Sequence, residues 1–174
     1  MLPHFHKLSH FPILPDYIVQ EALAAEYKLT LNPNLYKCDS SSFNQTTFFK
    51  SVQQHFQRYC SAKYYLTNPN SYYGWHVDGK RQFAINWIIK DTPCSFCFFK
   101  EPIVEAISPN FHPLFHNLIQ VDYDLYKPTI INTSLEHCVI NNYNDRRIIL
   151  SMTVPNLSFE EGVEYFSKLH PNSY

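Results

Sequence analysis

At 174 residues, with 45% hydrophobic and 17% aromatic side chains, the chain carries enough apolar material for one compact core. Fourteen basic residues against fifteen acidic ones leave a formal charge of −1, so nothing in the composition favours nucleic acid or an anionic membrane as partner. No stretch approaches the roughly 20 apolar residues of a membrane span, and Pro3, Pro12 and Pro15 interrupt the N-terminus where a signal peptide would need an unbroken apolar run, which reads as a soluble, cytoplasmic protein of one domain over 1–174.

The first expected element is a helix in "YIVQEALAAEY", with Asp16 as its N-cap and Ile18, Ala22, Ala25 and the neighbouring Leu23 at helical spacing. After the cap-rich "DSSSFN", a second helix follows in "TTFFKSVQQHFQRYC", where Phe48, Phe49, Val52, Phe56, Tyr59 and Cys60 make one broad apolar face. The part up to about residue 62 is thus expected to be helical.

From Lys63 the texture changes. Runs such as "KYYLT", "WHV", "QFAINWIIK", "CSFCFFK", "NLIQVDY", "TIIN", "HCVI" and "RRIILSMTV" are β-branched, aromatic and separated by turn formers. Seven or eight strands between about 63 and 154 imply a sandwich, barrel or jelly roll. The stretch "EPIVEAISPNFHPLFH" is a longer loop and a candidate lid. Ser158 and Glu161 form the S-x-x-E start of a C-terminal helix over about 158–169, packed on a sheet. Repeats, low-complexity tracts and interdomain linkers are not found.

The five cysteines are an odd number and read as free thiols. Cys94 and Cys97 form a lone C-x-x-C whose side chains would face opposite ways on a strand, so they are expected to be strand residues rather than a metal motif. Among the nine histidines, His4, His6, His10, His112, His116 and His170 read as surface residues, and His55 as a hydrogen-bonded residue of the second helix.

The chemistry concentrates in "YYGWHVDGKRQF". On a strand end, a period of two puts His76 and Asp78 on one face and Val77 on the other. His137 is the best-placed third ligand, at a strand start in "TIINTSLEHCVINNYNDRRIILSM". Two imidazoles and one carboxylate on one face of an octahedron leave three positions open, the donor set of non-haem Fe(II) oxygenases.

The order H-x-D, a distal His, then Arg about ten residues on resembles the 2-oxoglutarate- and Fe(II)-dependent oxygenases. The likeness covers roughly residues 63–154, and its local patterns are similar to those of the prolyl and aspartyl/asparaginyl hydroxylase-like branches. It implies a mainly β (α+β) fold, a double-stranded β-helix or jelly roll flanked by N-terminal helices and a C-terminal helix, with the metal inside one open end.

The resemblance also implies a basic residue on the last core strand that holds the distal carboxylate of 2-oxoglutarate, a task that suits the planar fork of arginine. Arg146 and Arg147 are both candidates. Ile148, Leu150, Met152 and Val154 share a face with Arg146, an apolar set suited to packing under helices. Ile149, Ser151 and Thr153 share the mixed face of Arg147, which favours Arg147 for the cofactor. Many members of the family carry a polar residue two positions after this arginine; Ile149 stands there in this chain. Asn86, an amide amid apolar strand residues, is a further cofactor-contact candidate, and Arg81 a candidate to orient the Asp78 carboxylate.

What the resemblance implies for function is an Fe(II)/2-oxoglutarate-dependent dioxygenase, with His76, Asp78 and His137 on the metal, 2-oxoglutarate and O2 as cosubstrates, and a peptide side chain or small metabolite hydroxylated as succinate and CO2 form. Two alternatives stay open: a cupin-like jelly-roll metalloenzyme that does not use 2-oxoglutarate, and a non-enzymatic jelly-roll binding protein.

Overall fold

The computed structural model describes residues 4–57, 59–79, 81–92, 95–101, 117–171 and 174. Strand β1 (Phe5–Lys7) leads into helix α1 (Asp16–Ala24), a small hairpin of β2 (Lys28–Leu29) and β3 (Leu35–Asp39), and helices α2 (Ser41–Asn44) and α3 (Thr47–Phe56). Then come β4 (Ser61–Thr67), β5 (Ser71–His76), β6 (Phe83–Lys90), β7 (Ser95–Glu101), β8 (Asn117–Gln120), β9 (Pro128–Asn132), β10 (His137–Asn141), β11 (Arg147–Thr153) and helix α4 (Phe159–Lys168).

The chain passes back and forth between two antiparallel sheets, one ordered β1-β9-β6-β11-β4-β3-β2 and the other β5-β10-β7-β8. This is the expected jelly roll, built from the eight strands β4 to β11. Strand β6 explains the layering. All its residues from Phe83 to Ile89 are buried, as a strand covered on both faces requires. Phe83, Ile85, Trp87 and Ile89 face the helical layer, where they meet Ile18, Phe48, Phe166 and the β11 residues Ile148, Leu150 and Met152 in one core cluster. Each such side chain is worth about 1.5–3 kcal/mol when fully buried. Ala84 points the other way, into a smaller cluster with Cys97, Phe99, Val121 and Ile131 between the sheets.

The C-terminal helix has its full capping box, with Ser158 accepting from the Glu161 N–H and Glu161 accepting from the Ser158 N–H. It lies close on β6: a Cβ at Gly162 would sit 2.8 Å from the Phe83 ring, so only glycine fits there.

The N-terminal part departs from expectation. Asp16 is the first helical residue and not the cap; Pro15 occupies the cap position, and no side chain closes it. The "SSFN" run forms α2 rather than a cap, and Thr46 caps α3 by accepting from the Phe49 N–H. Gln57, in the left-handed region at φ 47°, ends α3; Tyr59 then falls off the helical face and is 81% exposed. Strands β1 to β3 were not expected. They carry little period-two pattern of their own and owe their conformation to pairing, β3 with β4 from Leu35↔Thr67 to Asp39↔Lys63 and β1 with β9. His4 and His6 are therefore half-buried beside this pairing, and His6 meets the Ser167 hydroxyl at 3.0 Å. His55 stacks on Tyr165, ring centroids 4.6 Å apart. Cys94, His112, His116 and residues 102–116 of the suggested lid lie outside the described residues. Among those described, no helix is long and apolar enough to cross a membrane.

Candidate metal centre and its cavity

His76 and His137 face each other as Cα partners at one end of the β5–β10 pair. The next pairing is Val139 with Tyr73, so three steps along β5 match two along β10. The extra residue is a β-bulge around Gly74 and Trp75. A regular strand would send Tyr73 and His76 to opposite faces; the bulge turns both into the same cavity. It also aims the Gly74 carbonyl at His76, which meets it through Nδ1 at 2.7 Å.

Asp78 lies two residues past the end of β5 and is held by the loop before β10. Its N–H donates to the Thr133 carbonyl at 3.0 Å, while Thr133 donates through its own N–H to Gln82 and through its hydroxyl to the Arg81 carbonyl, each at 3.0 Å. The fully buried Thr133 thus ties the H-x-D loop to the turn that delivers His137.

Ligand atoms of His76, Asp78 and His137 all lie within 4.8 Å of one another. His76 Nε2 is 3.7 Å from Asp78 Oδ1, and the two imidazole centroids are 4.3 Å apart. Atoms bound to one ion at about 2.0–2.2 Å stand at most about 4.4 Å apart, so small side-chain movements bring all three onto a common ion.

The hydrogen bonds settle which atoms are available. His137 Nδ1 meets the Leu135 carbonyl at 2.9 Å as His76 Nδ1 meets Gly74. A carbonyl only accepts, so both Nδ1 atoms carry the proton and both Nε2 lone pairs are left for a ligand. Burial pushes the His137 pKa below the ordinary histidine value, which favours the neutral, ligating form. On the carboxylate, Arg81 donates through Nε to Asp78 Oδ2 at 2.6 Å and through a terminal nitrogen to Thr153 Oγ1 at 2.9 Å. Oδ2 is occupied, and Oδ1 is the oxygen nearest His76.

The cavity beside these residues has a volume of about 230 Å³, and His76, Asp78, Arg81, Asn86, His137 and Arg147 all line it. Arg147, 3% exposed, sits opposite Thr67 across β11 and β4. Its Nε has no hydrogen-bond partner. Asp91 stands 3.9 Å away and is half exposed, beyond hydrogen-bonding reach. Arg146 is exposed and lies on the other side of the sheet beside Tyr27 and Leu66. The alternation read from β11 holds on both faces: Ile148, Leu150, Met152 and Val154 enter the helical core, while Arg147, Ile149 and Ser151 line the cavity.

Three residues absent from the sequence reading help build the site. Asn141, fully buried, donates to the carbonyls of Asn68 at 2.9 Å and Asp145 at 2.8 Å, and accepts from Thr92 at 2.8 Å, which fixes the turn that delivers Arg147. Its signal was a lone amide at the end of "HCVIN". Thr133 had none beyond its turn composition. Tyr123, beyond β8, puts its ring 5.6 Å from the Arg147 guanidinium.

No protein-family profile and no curated protein matches this sequence. Solved structures do share the fold. A prolyl-4-hydroxylase from Pseudomonas putida superimposes with a TM-score of 0.56 at 10% identity, covering 88% of this chain and 93% of that one. An oxidoreductase of the 2OG-Fe(II) oxygenase family from Burkholderia pseudomallei gives 0.52 at 9% identity, covering 79% and 75%. The non-haem α-ketoglutarate-dependent carbocyclase SnoK of nogalamycin biosynthesis gives 0.53 at 9%, covering 80% and 73%. The chain therefore has a jelly-roll fold that is also found in 2-oxoglutarate- and Fe(II)-dependent oxygenases.

Proposed function

We propose that this chain is an Fe(II)- and 2-oxoglutarate-dependent oxygenase. His76, Asp78 and His137 hold the metal, and Arg147 binds the distal carboxylate of 2-oxoglutarate. The observation that carries the reading is a single cavity in which two imidazoles and a carboxylate are joined by a buried guanidinium whose Nε makes no hydrogen bond. A buried charged donor without an acceptor is costly, and a carboxylate is the acceptor that fits it.

The donor set suits iron with open positions: neutral nitrogens and one carboxylate oxygen, with second-layer bonds fixing each of them. When bound, the metal and 2-oxoglutarate supply activation of dioxygen, with conversion of the oxo acid to succinate and CO2 as the substrate is oxidised. The chain's own residues orient and enclose. The Gly74 and Leu135 carbonyls keep the imidazoles in the Nε2-ligating tautomer, and Arg81 keeps Asp78 Oδ2 engaged so that Oδ1 serves the metal. Tyr73, its ring 4.1 Å from that of His76, covers the metal side of the cavity against water. The substrate class is a peptide side chain or a small metabolite.

Metal-dependent formation of succinate from 2-oxoglutarate tests the reading, with a panel of peptides and metabolites to find the accelerating substrate. Succinate is expected only with Fe(II) and is lost in a His76→Ala/Asp78→Ala double variant. Unchanged iron affinity in that variant would overturn the ligand assignment. Undiminished 2-oxoglutarate binding in Arg147→Ala would overturn the Arg147 assignment, and a wild type that binds metal but not 2-oxoglutarate would point instead to a cupin-like metalloenzyme.

A further inference from the structure

An arginine fork offers two parallel N–H groups to a carboxylate, which has about four lone-pair positions to satisfy. Along the cavity face of β11 the next residue inward from Arg147 is Ile149, which supplies no donor. A second donor must reach the carboxylate from another strand.

Tyr123 has the required geometry. It lines the same cavity, and its ring lies 5.6 Å from the Arg147 guanidinium carbon, within cation–π range. Asn86 and Cys97 line the same cavity beside it. Asn86 Oδ1 is buried with no hydrogen-bond partner, and the Cys97 sulfur is only a weak acceptor for a phenol proton. Burial pushes the phenol pKa up, so Tyr123 remains a donor.

Building on the function proposed above, we infer that Tyr123 is the second anchor of the 2-oxoglutarate distal carboxylate, its hydroxyl donating to the carboxylate that Arg147 holds. The hydroxyl that could have come from β11 at Ile149 is supplied from the segment after β8.

The test is anaerobic calorimetry of 2-oxoglutarate binding to the Mn(II)-loaded full chain, wild type against Tyr123→Phe, which keeps the ring and removes only the hydroxyl. The expected result is a 10- to 100-fold weaker Kd for 2-oxoglutarate with Mn(II) affinity unchanged. Binding of 2-oxobutyrate, which has no distal carboxylate, should be equal in the two proteins; a merely structural role would weaken both acids alike. Adding Ile149→Ser to Tyr123→Phe should restore affinity for the diacid alone. A Tyr123→Phe protein that binds 2-oxoglutarate as tightly as wild type, while Arg147→Met has lost it, overturns the Tyr123 assignment and leaves the proposed function standing. Failure of the wild type itself to bind 2-oxoglutarate overturns both.

Discussion

The two faces of the large sheet are built to opposite specifications. On the helical face of β11, Ile148, Leu150 and Met152 are sealed under α1, α3 and α4 in an apolar cluster. On the other face, one residue out of phase, Arg147 and Ser151 are buried beside Asn86, which pairs with Thr129 on β9. Among the described residues four buried side-chain atoms lack a hydrogen-bond partner: Asn86 Oδ1, Thr129 Oγ1 and Arg147 Nε belong to this second face, and the fourth, Asn44 Oδ1, lies in α2. Such atoms lower stability. One face supplies the folding energy that the other gives up to keep polar groups dry and ready for a ligand.

Substitutions one to three residues apart on β11 should therefore act on different properties. Leu150→Ala, at a fully buried site, is expected to cost about 2–5 kcal/mol of stability through the cavity it leaves, read by urea denaturation, while metal affinity in the folded protein is unchanged. Arg147→Met should do the reverse: 2-oxoglutarate affinity falls by about 2–4 kcal/mol in calorimetry, as expected for loss of a buried charge partner. The ligand-free protein should be no less stable, since a buried charged donor that makes no hydrogen bond through Nε has been removed.

A third substitution separates the cavity's two ends. Arg81→Met takes the second-layer partner from Asp78 and should weaken Mn(II) or Fe(II) binding about 10- to 100-fold. The binding of 2-oxoglutarate at saturating metal should move much less. The smallest effect belongs to the helical layer. Thr46→Ala removes the α3 cap at about 1 kcal/mol, visible as a lower denaturation midpoint with both ligand affinities intact.

How far the sequence could be read follows the same division. Period two alone separated the faces of β11 and chose Arg147 over Arg146, because both faces of that strand are buried and the alternation is enforced. The spacing of His76 and Asp78, the strand-start position of His137 and the order of the motif brought the three together as candidates. What escaped was set by pairing rather than by pattern. The two residues of β2 and the mixed "LYKCD" of β3 have no face of their own, and the bulge in β5 leaves no mark in "SYYGWH" beyond its glycine. Asp16 is the first helical residue rather than the cap because Pro15, with its fixed backbone, takes the cap position. Tyr123 gave no signal, since its place over Arg147 comes from the return of the chain after β8 and not from local spacing.

The most direct measurement is calorimetric titration of 2-oxoglutarate, without oxygen, into the chain with and without saturating Mn(II), in wild type and in Asp78→Ala. One cavity shared by a metal on His76, Asp78 and His137 and an anion on Arg147 requires tight binding in metal-loaded wild type. Binding must fall at least tenfold when either the metal or Asp78 is removed. Equal affinity in all four titrations, or none in metal-loaded wild type, would contradict it.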